Sequence, residues 1–291
     1  MSQQGPGTAG GAAAVHILTA YRSRLHQGPL ATPDQAALLY GDSLFETIRL
    51  DQGRLIWLDD HLDRIENHAR LAGIPFDRRQ ALADLNLLAA NSPWPVARVR
   101  LTAGSGRLDA RLKPTEGLQF ASAAPYAPPA ADQYRQGVTC VIAQNRRINP
   151  VSHLPQMKRG NYADCLAARR QALQEGAFEA LFVDAEGNLL EGSISNIFAL
   201  IDDILLTPPT GNIILPGIAR ARVLRAAQTI GLRTLEHPLH RDLLPHLQGL
   251  QLSNSLFGLL PVRAINGTDL PVSGWSEKLL QALGEVFETL L

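Results

Sequence analysis

The chain has 291 residues, its 27 Lys and Arg side chains are balanced by 27 Asp and Glu, and 45% of its residues are apolar. That balance excludes a wholly disordered chain, and the zero formal charge removes any global pull toward nucleic acid or an anionic membrane. The length admits one large domain or two ordinary ones. Cys140 and Cys165 are too few for a disulfide framework or a cysteine-based zinc site, and they suit a reducing cytoplasm. Met1–Ala14 is rich in Gly, Ala and Gln and has no Lys or Arg, so it reads as a dispensable tail and not as a signal peptide. No run approaches the roughly 20 apolar residues that span a bilayer. These readings predict a cytoplasmic protein with no nucleic acid and no membrane among its partners.

In chain order, Val15–Arg24 reads as a first strand. Leu44–Leu50 and Arg54–Leu58 flank Asp51-Gln52-Gly53, a hairpin pattern. Asp59 or Asp60 can cap a helix whose apolar stripe runs through Leu62, Ile65 and Ala69 and which stops at Gly73. A second helix is expected over 77–91 and an alternating strand over Val96–Thr102. The Pro/Ala-rich stretch Ala121–Ala131 marks a boundary between two domains. We therefore expect a smaller N-terminal domain over 15–122, a linker over 123–136 and a larger domain over 137–291. In the second half, Gly137–Ala143, Glu179–Asp184, Ile194–Ile201 and Ile204–Leu206 read as strands. Asn161 can cap a helix ending at Gly176, and Ile218–Ile230 reads as another. Trp275, Leu279, Leu283, Phe287 and Leu290 form a stripe on one C-terminal helix. The class is α/β (α+β) in two domains.

Most chemical motifs fail on inspection. Gly104-Ser105-Gly106 lacks the rest of a phosphate loop and reads as a turn. The histidines do not fall at metal-ligand spacing, so no metal is expected. Ser193 and Ser195 lack the Gly-x-Ser-x-Gly elbow of a serine hydrolase. Three features remain. Lys158 stands just before a helix, Glu191 is wedged between apolar strand residues and needs a partner, and Leu215-Pro216-Gly217-Ile218 opens a helix whose N–H groups suit a phosphate. A lysine for an imine, a carboxylate for a pyridinium nitrogen and a helix start for a phosphate are the needs of pyridoxal 5′-phosphate.

At this point the chain resembles the fold-type IV pyridoxal-phosphate enzymes, the family of branched-chain and D-amino-acid aminotransferases and 4-amino-4-deoxychorismate lyase. The likeness runs from about Tyr40 to Val262. Tyr40–Arg49 resembles the first motif, His61-Leu62-Asp63-Arg64 the second, and Lys158 with Asn161-Tyr162 the lysine region. Glu191 through Phe198, then Thr207-Pro208-Pro209, then Leu215–Ile218, resemble the cofactor motif. The resemblance implies two domains with the cofactor in the cleft between them, and a homodimer acting on a small molecule.

It also implies roles. Lys158 holds the cofactor and later moves protons, with Thr47 as a second proton donor. Glu191 faces the ring nitrogen, Leu215 supports the ring and Arg64 binds the phosphate. Ser195, Asn196, Gly217, Ile218, Ala219, Asn254 and Ser255 complete the cofactor site. Ser253–Val262 resembles the lyase version of its segment. That points to a lyase giving 4-aminobenzoate and pyruvate, with an aminotransferase of D- or branched-chain amino acids as the alternative. Glu46, Arg98, Arg107 and Asn254 are the expected substrate contacts, because the lyase substrate carries two carboxylates that guanidinium groups would bind. Arg100 shares a strand face with Arg98 by alternation. Phe257 stands where similar lyases have an arginine.

Overall fold

The computed structural model describes residues 17–146, 156–211, 214–288 and 290. The tail Met1–Ala14 and the start of the first expected strand lie outside them. The N-terminal half builds an antiparallel sheet from β1 (Leu18–Tyr21), β2 (Arg24–His26), β3 (Ser43–Asp51), β4 (Arg54–Leu55), β5 (Val96–Ser105) and β6 (Gly117–Pro125). The strand order is β2-β1-β6-β5-β3-β4. A short helix α1 (Ala36–Leu39) precedes β3, while α2 (Leu58–Ala72) and α3 (Arg78–Asn91) cross between β4 and β5.

Period-two alternation decides what each face of this sheet does. Leu44, Ile48 and Leu50 of β3, Ala97, Val99 and Leu101 of β5, and Ala121 and Ala123 of β6 are buried in one core with Leu62, Ile65, Leu85 and Leu88 of the helices. The alternate residues Phe45, Thr47, Arg98, Arg100, Ser122 and Ala124 line a cavity on the opposite face.

The C-terminal half opens with α4 (Ala131–Gln136). It continues with β7 (Val138–Ile142), α5 (Ala163–Gln174), β8 (Glu179–Val183), β9 (Asn188–Gly192), β10 (Asn196–Ile201), β11 (Ile204–Thr207), α6 (Ile218–Thr229), β12 (Arg233–Glu236) and β13 (Leu239–His240). β14 (Gly249–Asn254), β15 (Gly258–Ile265), β16 (Thr268–Asp269), α7 (Trp275–Ala282) and α8 (Glu285–Glu288) complete it. Its larger sheet has the order β12-β11-β10-β14-β15-β7-β8-β9-β13, with β16 on β15. Phe198, Leu250, Leu252 and Leu260 from the strands meet Val223 of α6 and Leu279 and Leu280 of α7 in the main core. This is an α/β fold of two sheets with a cavity between them.

Four local expectations are corrected. The Pro/Ala-rich stretch is not a linker from its start, because β6 runs through Pro125. Ala121 and Ala123 are small enough to pack under the helices, and Pro125 closes the strand. The change of sheet thus falls between Pro125 and Ala131, and α4 occupies the end of the expected linker. Helix α2 starts at Leu58 with Trp57 as its N-cap, in a left-handed conformation and without a side-chain cap, so neither Asp59 nor Asp60 caps it. Asn161 does not cap α5, whose N-cap is Tyr162. The C-terminal stripe is broken at Gly284, whose φ of +109° ends one helix and lets a second begin.

Helix α3 does have a side-chain cap, since Asp77 accepts the Gln80 N–H at 3.0 Å. Asp77→Ala should lower stability by about 1 kcal/mol, whereas Asp59→Ala should change it by less than about 0.5 kcal/mol. Urea unfolding midpoints of the two variants would check the difference.

Candidate active site

Lys158 reaches the cavity because its backbone is pinned along β3. The Phe45 N–H donates to the Lys158 carbonyl at 2.9 Å and the Gly160 N–H to the Ser43 carbonyl at 2.7 Å. Gly160 has to be glycine, as a Cβ there would stand 2.0 Å from the Ser43 hydroxyl oxygen. The ammonium nitrogen lies 4.5 Å from the centre of the Phe45 ring and 5.2 Å from that of Tyr162. The two rings meet edge to face at 5.4 Å. Part of the side chain stays open to the cavity while the amine itself is enclosed by protein. Burial, with Arg64 and Arg100 adding to it against Glu46, pulls the Lys158 amine down to about 8.

Across the cavity, Glu191 is 4% exposed. One of its oxygens accepts the Leu215 N–H at 3.1 Å and the Asn196 amide at 3.2 Å. The Asn196 amide also donates to the Leu215 carbonyl at 3.0 Å, so strand β10 and the approach to α6 fix the carboxylate together. Gly217 is the N-cap of α6 and does not itself line the cavity. It has to lack a side chain, since a Cβ would meet the Asn196 amide oxygen at 2.0 Å. Ile218 and Ala219 follow it at the cavity wall, and no acidic residue occupies the first turn of α6. That leaves helix N–H groups facing the cavity without a competing carboxylate.

Arg64 lines the same cavity, but much of it is already committed. Its Nε and Nη2 donate to the two oxygens of Glu46 at 2.7 and 2.6 Å, and Nη1 donates to the Pro216 carbonyl at 2.9 Å. Two of the five guanidinium N–H groups remain for a ligand. Glu46 itself is not a substrate contact. Alternation turns it away from Phe45 and Thr47, into the layer between β3 and α2, where it is 1% exposed. Burial works to raise its carboxyl, but the Arg64 charge and the hydrogen bonds from His61 and Arg64 outweigh it and hold Glu46 down to about 2. His61 lies 2.7 Å from Glu46 through Nδ1, and burial pushes its own ionisation down. The neutral ring with its proton on Nδ1 fits that contact.

Arg98 and Arg100 both line the cavity, as does Thr47. The Arg100 guanidinium sits 3.7 Å from the centre of the Phe45 ring, and burial, with Arg98 adding, lowers it to about 10. Arg107 is not in the cavity. Strand β5 ends at Ser105, and beyond it Arg107 pairs with Asp34 at 2.6 Å on an exposed surface. Asn254 and Ser255 line the cavity. Asn254 also braces its own turn, as its amide oxygen accepts the N–H groups of Leu256 and Phe257 at 2.9 and 3.0 Å. Phe257 is 2% exposed and packs against Phe178, away from the cavity.

Two residues escaped the sequence reading. Glu179 is fully buried and accepts from Ala180 N–H, from both the N–H and hydroxyl of Ser193, from Ile194 N–H and from the Ser195 hydroxyl. It holds the turn that follows Glu191, and places Ser195 at the cavity wall. The same argument that singled out Glu191, a carboxylate within an apolar strand, applies to it. Ser253 lines the cavity, is 1% exposed, and its hydroxyl has no hydrogen-bond partner among the described residues. The segment Ser253–Val262 marks it only through the resemblance, which names Asn254 and Ser255 but gives Ser253 no role.

The cavity measures about 560 Å³ and draws its walls from both sheets. Residues 43–265 match the amino-transferase class IV family. A protein of Methanocaldococcus jannaschii provisionally named as a branched-chain-amino-acid aminotransferase is 32% identical over 79% of this chain and 81% of its own. The crystal structure of 4-amino-4-deoxychorismate lyase from Pseudomonas aeruginosa is 27% identical, covers 92% of this chain and 98% of its own, and superposes with a TM-score of 0.79. A hypothetical aminotransferase from Mycobacterium tuberculosis in its PLP-bound form has a TM-score of 0.80 at 23% identity, covering 92% of this chain and 97% of its own.

With that match spanning most of its length, the chain belongs to the class IV aminotransferase family of pyridoxal-phosphate enzymes. The cavity fits that cofactor. It offers a buried amine, a braced carboxylate, a helix start without a competing acid, two spare guanidinium N–H groups and the unsatisfied Ser253 hydroxyl.

A lowered lysine becomes a free amine at a milder pH than an exposed one. In cofactor-free protein, Lys158 should react with a small amine-selective reagent at a rate that rises with pH and is half-maximal near pH 8, not near 10.5. Mass-spectrometric counting of label on the Lys158 peptide across pH 6–11 would check this.

Proposed function

We propose that the protein is a pyridoxal-phosphate-dependent lyase that converts 4-amino-4-deoxychorismate to 4-aminobenzoate and pyruvate. The observation that carries this reading is the pair Arg98 and Arg100, side by side on the cavity face of β5 and without a carboxylate partner among the described residues. Two guanidinium groups in a cavity, neither held by a carboxylate among the described residues, suit a substrate with two carboxylates. The buried Phe257 leaves the job to these two arginines.

Residue by residue, Arg98 and Arg100 bind and orient the substrate carboxylates. Lys158, whose amine gives up its proton far more readily than an exposed lysine, takes the proton from the substrate carbon that bears nitrogen. Pyridoxal phosphate, when bound, supplies the electron-accepting ring next to that carbon. Glu191 is the carboxylate that would keep the ring nitrogen protonated, and Ile218, Ala219, Arg64, Asn254, Ser255 and Ser195 are the groups that would hold the phosphate end. Lys158 or Thr47 returns a proton as the enolpyruvyl group leaves. Phe45 and Tyr162 cover the amine and keep water from it.

An aminotransferase is the second reading, favoured by the 32% identity to the M. jannaschii relative. The same lysine and glutamate would serve it. Purified protein with added pyridoxal phosphate should release 4-aminobenzoate and pyruvate from aminodeoxychorismate, with negligible amino transfer from D-alanine or L-leucine to 2-oxoglutarate. The opposite pattern would make it an aminotransferase. Lys158→Ala should abolish both turnover and the visible absorbance of bound cofactor. Arg100→Ala should lower kcat/KM by about 100-fold and leave that absorbance in place.

As part of this proposal, the working unit is a homodimer in the cytoplasm and the two sheets mark two domains. Leu38, Leu39 and Tyr40 expose apolar surface around α1 (64%, 56% and 69%), which a second copy would cover. Cys140 and Cys165 are buried and carry no disulfide, which is compatible with a reducing compartment. No described helix is long and apolar enough to cross a membrane. Sedimentation equilibrium should return twice the 31.5 kDa chain mass. Replacing Leu38 and Leu39 with Asp should return the single mass.

A further inference from the structure

Arg49 is a buried arginine that the reading above does not use. It lies on β3, two residues beyond Thr47, and so on the face that Phe45 and Thr47 present to the cavity. It does not itself line the cavity, and it is 2% exposed. Its direct partner across the β3–β5 ladder is Arg98, so two like charges stand opposite one another. Asp51 relieves that repulsion, taking Nε and Nη2 of Arg49 on one oxygen at 2.8 and 2.6 Å. The remaining arm leaves the N-terminal sheet. Nη1 donates to the Leu256 carbonyl at 2.7 Å, 207 residues along the chain. Phe287 of α8 lies 5.7 Å from the guanidinium and closes this layer from behind.

Leu256 belongs to the turn Asn254–Phe257, three of whose residues line the cavity. Within the larger sheet the turn is braced by Asn254, as described, and by the Tyr134 hydroxyl, which donates to the Phe257 carbonyl at 3.0 Å. Those braces come from the turn itself and from α4. The Arg49 bond reaches the turn from the opposite sheet, and it is charge-assisted and short, with its donor buried and its acceptor half-buried. A turn gripped from both sides of the cleft keeps Ser255 and Leu256 at a fixed distance from Thr47 and Arg98 on the facing wall.

We propose that Arg49 is a positioning residue: it locks the Asn254–Phe257 turn onto the N-terminal sheet and thereby sets the width of the substrate end of the cavity. The proposal rests on the cavity being the active site assigned above, and its main test does not depend on which substrate is turned over.

The test is hydrogen–deuterium exchange, read by mass spectrometry on cofactor-loaded wild-type, Arg49→Met and Arg49→Lys protein. The Leu256 and Phe257 N–H groups are bonded to Asn254 and report directly on the turn. In Arg49→Met the 254–257 peptide should exchange about tenfold faster, while peptides of β3, β5 and 191–196 change by less than about twofold. Arg49→Lys keeps the charge beside Asp51 but cannot reach Asp51 and the Leu256 carbonyl together, so its rise should be intermediate, about threefold. KM for whichever substrate the wild type accepts should rise about tenfold in Arg49→Met, with cofactor affinity held within about threefold. An unchanged 254–257 peptide, or a rise spread evenly over both sheets, would overturn the proposal. If Arg49→Met does not fold, Arg49→Lys is read the same way. A local rise of about threefold supports the proposal, and none overturns it. Wild-type protein without turnover on either substrate class would instead count against the functional reading and leave the exchange result standing.

Discussion

A charge that has no business being buried holds this structure in place. Glu46 lies in the layer between β3 and α2, where burial alone would neutralise it. It stays ionised because Arg64 clasps it with two N–H groups and His61 adds a third contact. The clasp leaves Arg64 little freedom, and what it fixes next is a neighbour in the other sheet, the Pro216 carbonyl just ahead of α6. The helix start that faces the cavity is therefore located by a carboxylate on the far side of β3. Asp60 and Arg222 repeat the crossing along the flanks of α2 and α6. With Arg49 and Leu256, three arginine-mediated contacts join the halves around one cleft.

The cavity between them concentrates cations that the chain balances elsewhere. Lys158, Arg64, Arg98 and Arg100 all line it, with Glu191 as the facing carboxylate. Such crowding has two effects. It draws anionic groups in, and it adds to burial, the larger cause, in shifting Lys158 and Arg100 downward. Lysine can answer by giving up its proton, whereas arginine stays charged throughout the working range of pH. The same field thus sorts the site into one proton carrier and a set of permanent anchors.

How far this was legible in sequence depends on the kind of signal each residue leaves. Lys158, Glu191 and the Leu215–Ile218 helix opening stood out because each is awkward locally: a lysine at a helix mouth, an acid in an apolar strand, a proline and glycine before a helix. Strands β3 and β5 were visible in their alternation, and with them the shared face of Arg98 and Arg100. Glu46 was misread because alternation says that neighbours face opposite ways without saying which way the cavity lies. Arg107 was misread because strand β5 stops short of it. Glu179 and Arg49 were passed over for a further reason. Their partners sit at Ser193–Ser195 and at Leu256, and only the pairing of distant strands brings them together. The Pro/Ala stretch misled because composition marks where a chain could stop being a sheet, not where it does.

The two faces of β5 have a consequence for how this site can change over time. Arg98 and Arg100 read the cavity, while Ala97, Val99 and Leu101 between them are sealed in the core. The strand is in register with β3 over Val96–Gly104 on one side and with β6 over Ala97–Ser105 on the other. Inserting or deleting a single residue within it would send Val99 and Leu101 to the ligand and drive two guanidinium groups into the apolar layer. Replacing a residue at every second position alters ligand recognition without touching the packing beneath. Recognition and folding are written in the same strand on alternate characters, so new preferences are open to this protein through point substitution while length changes in β5 are closed to it.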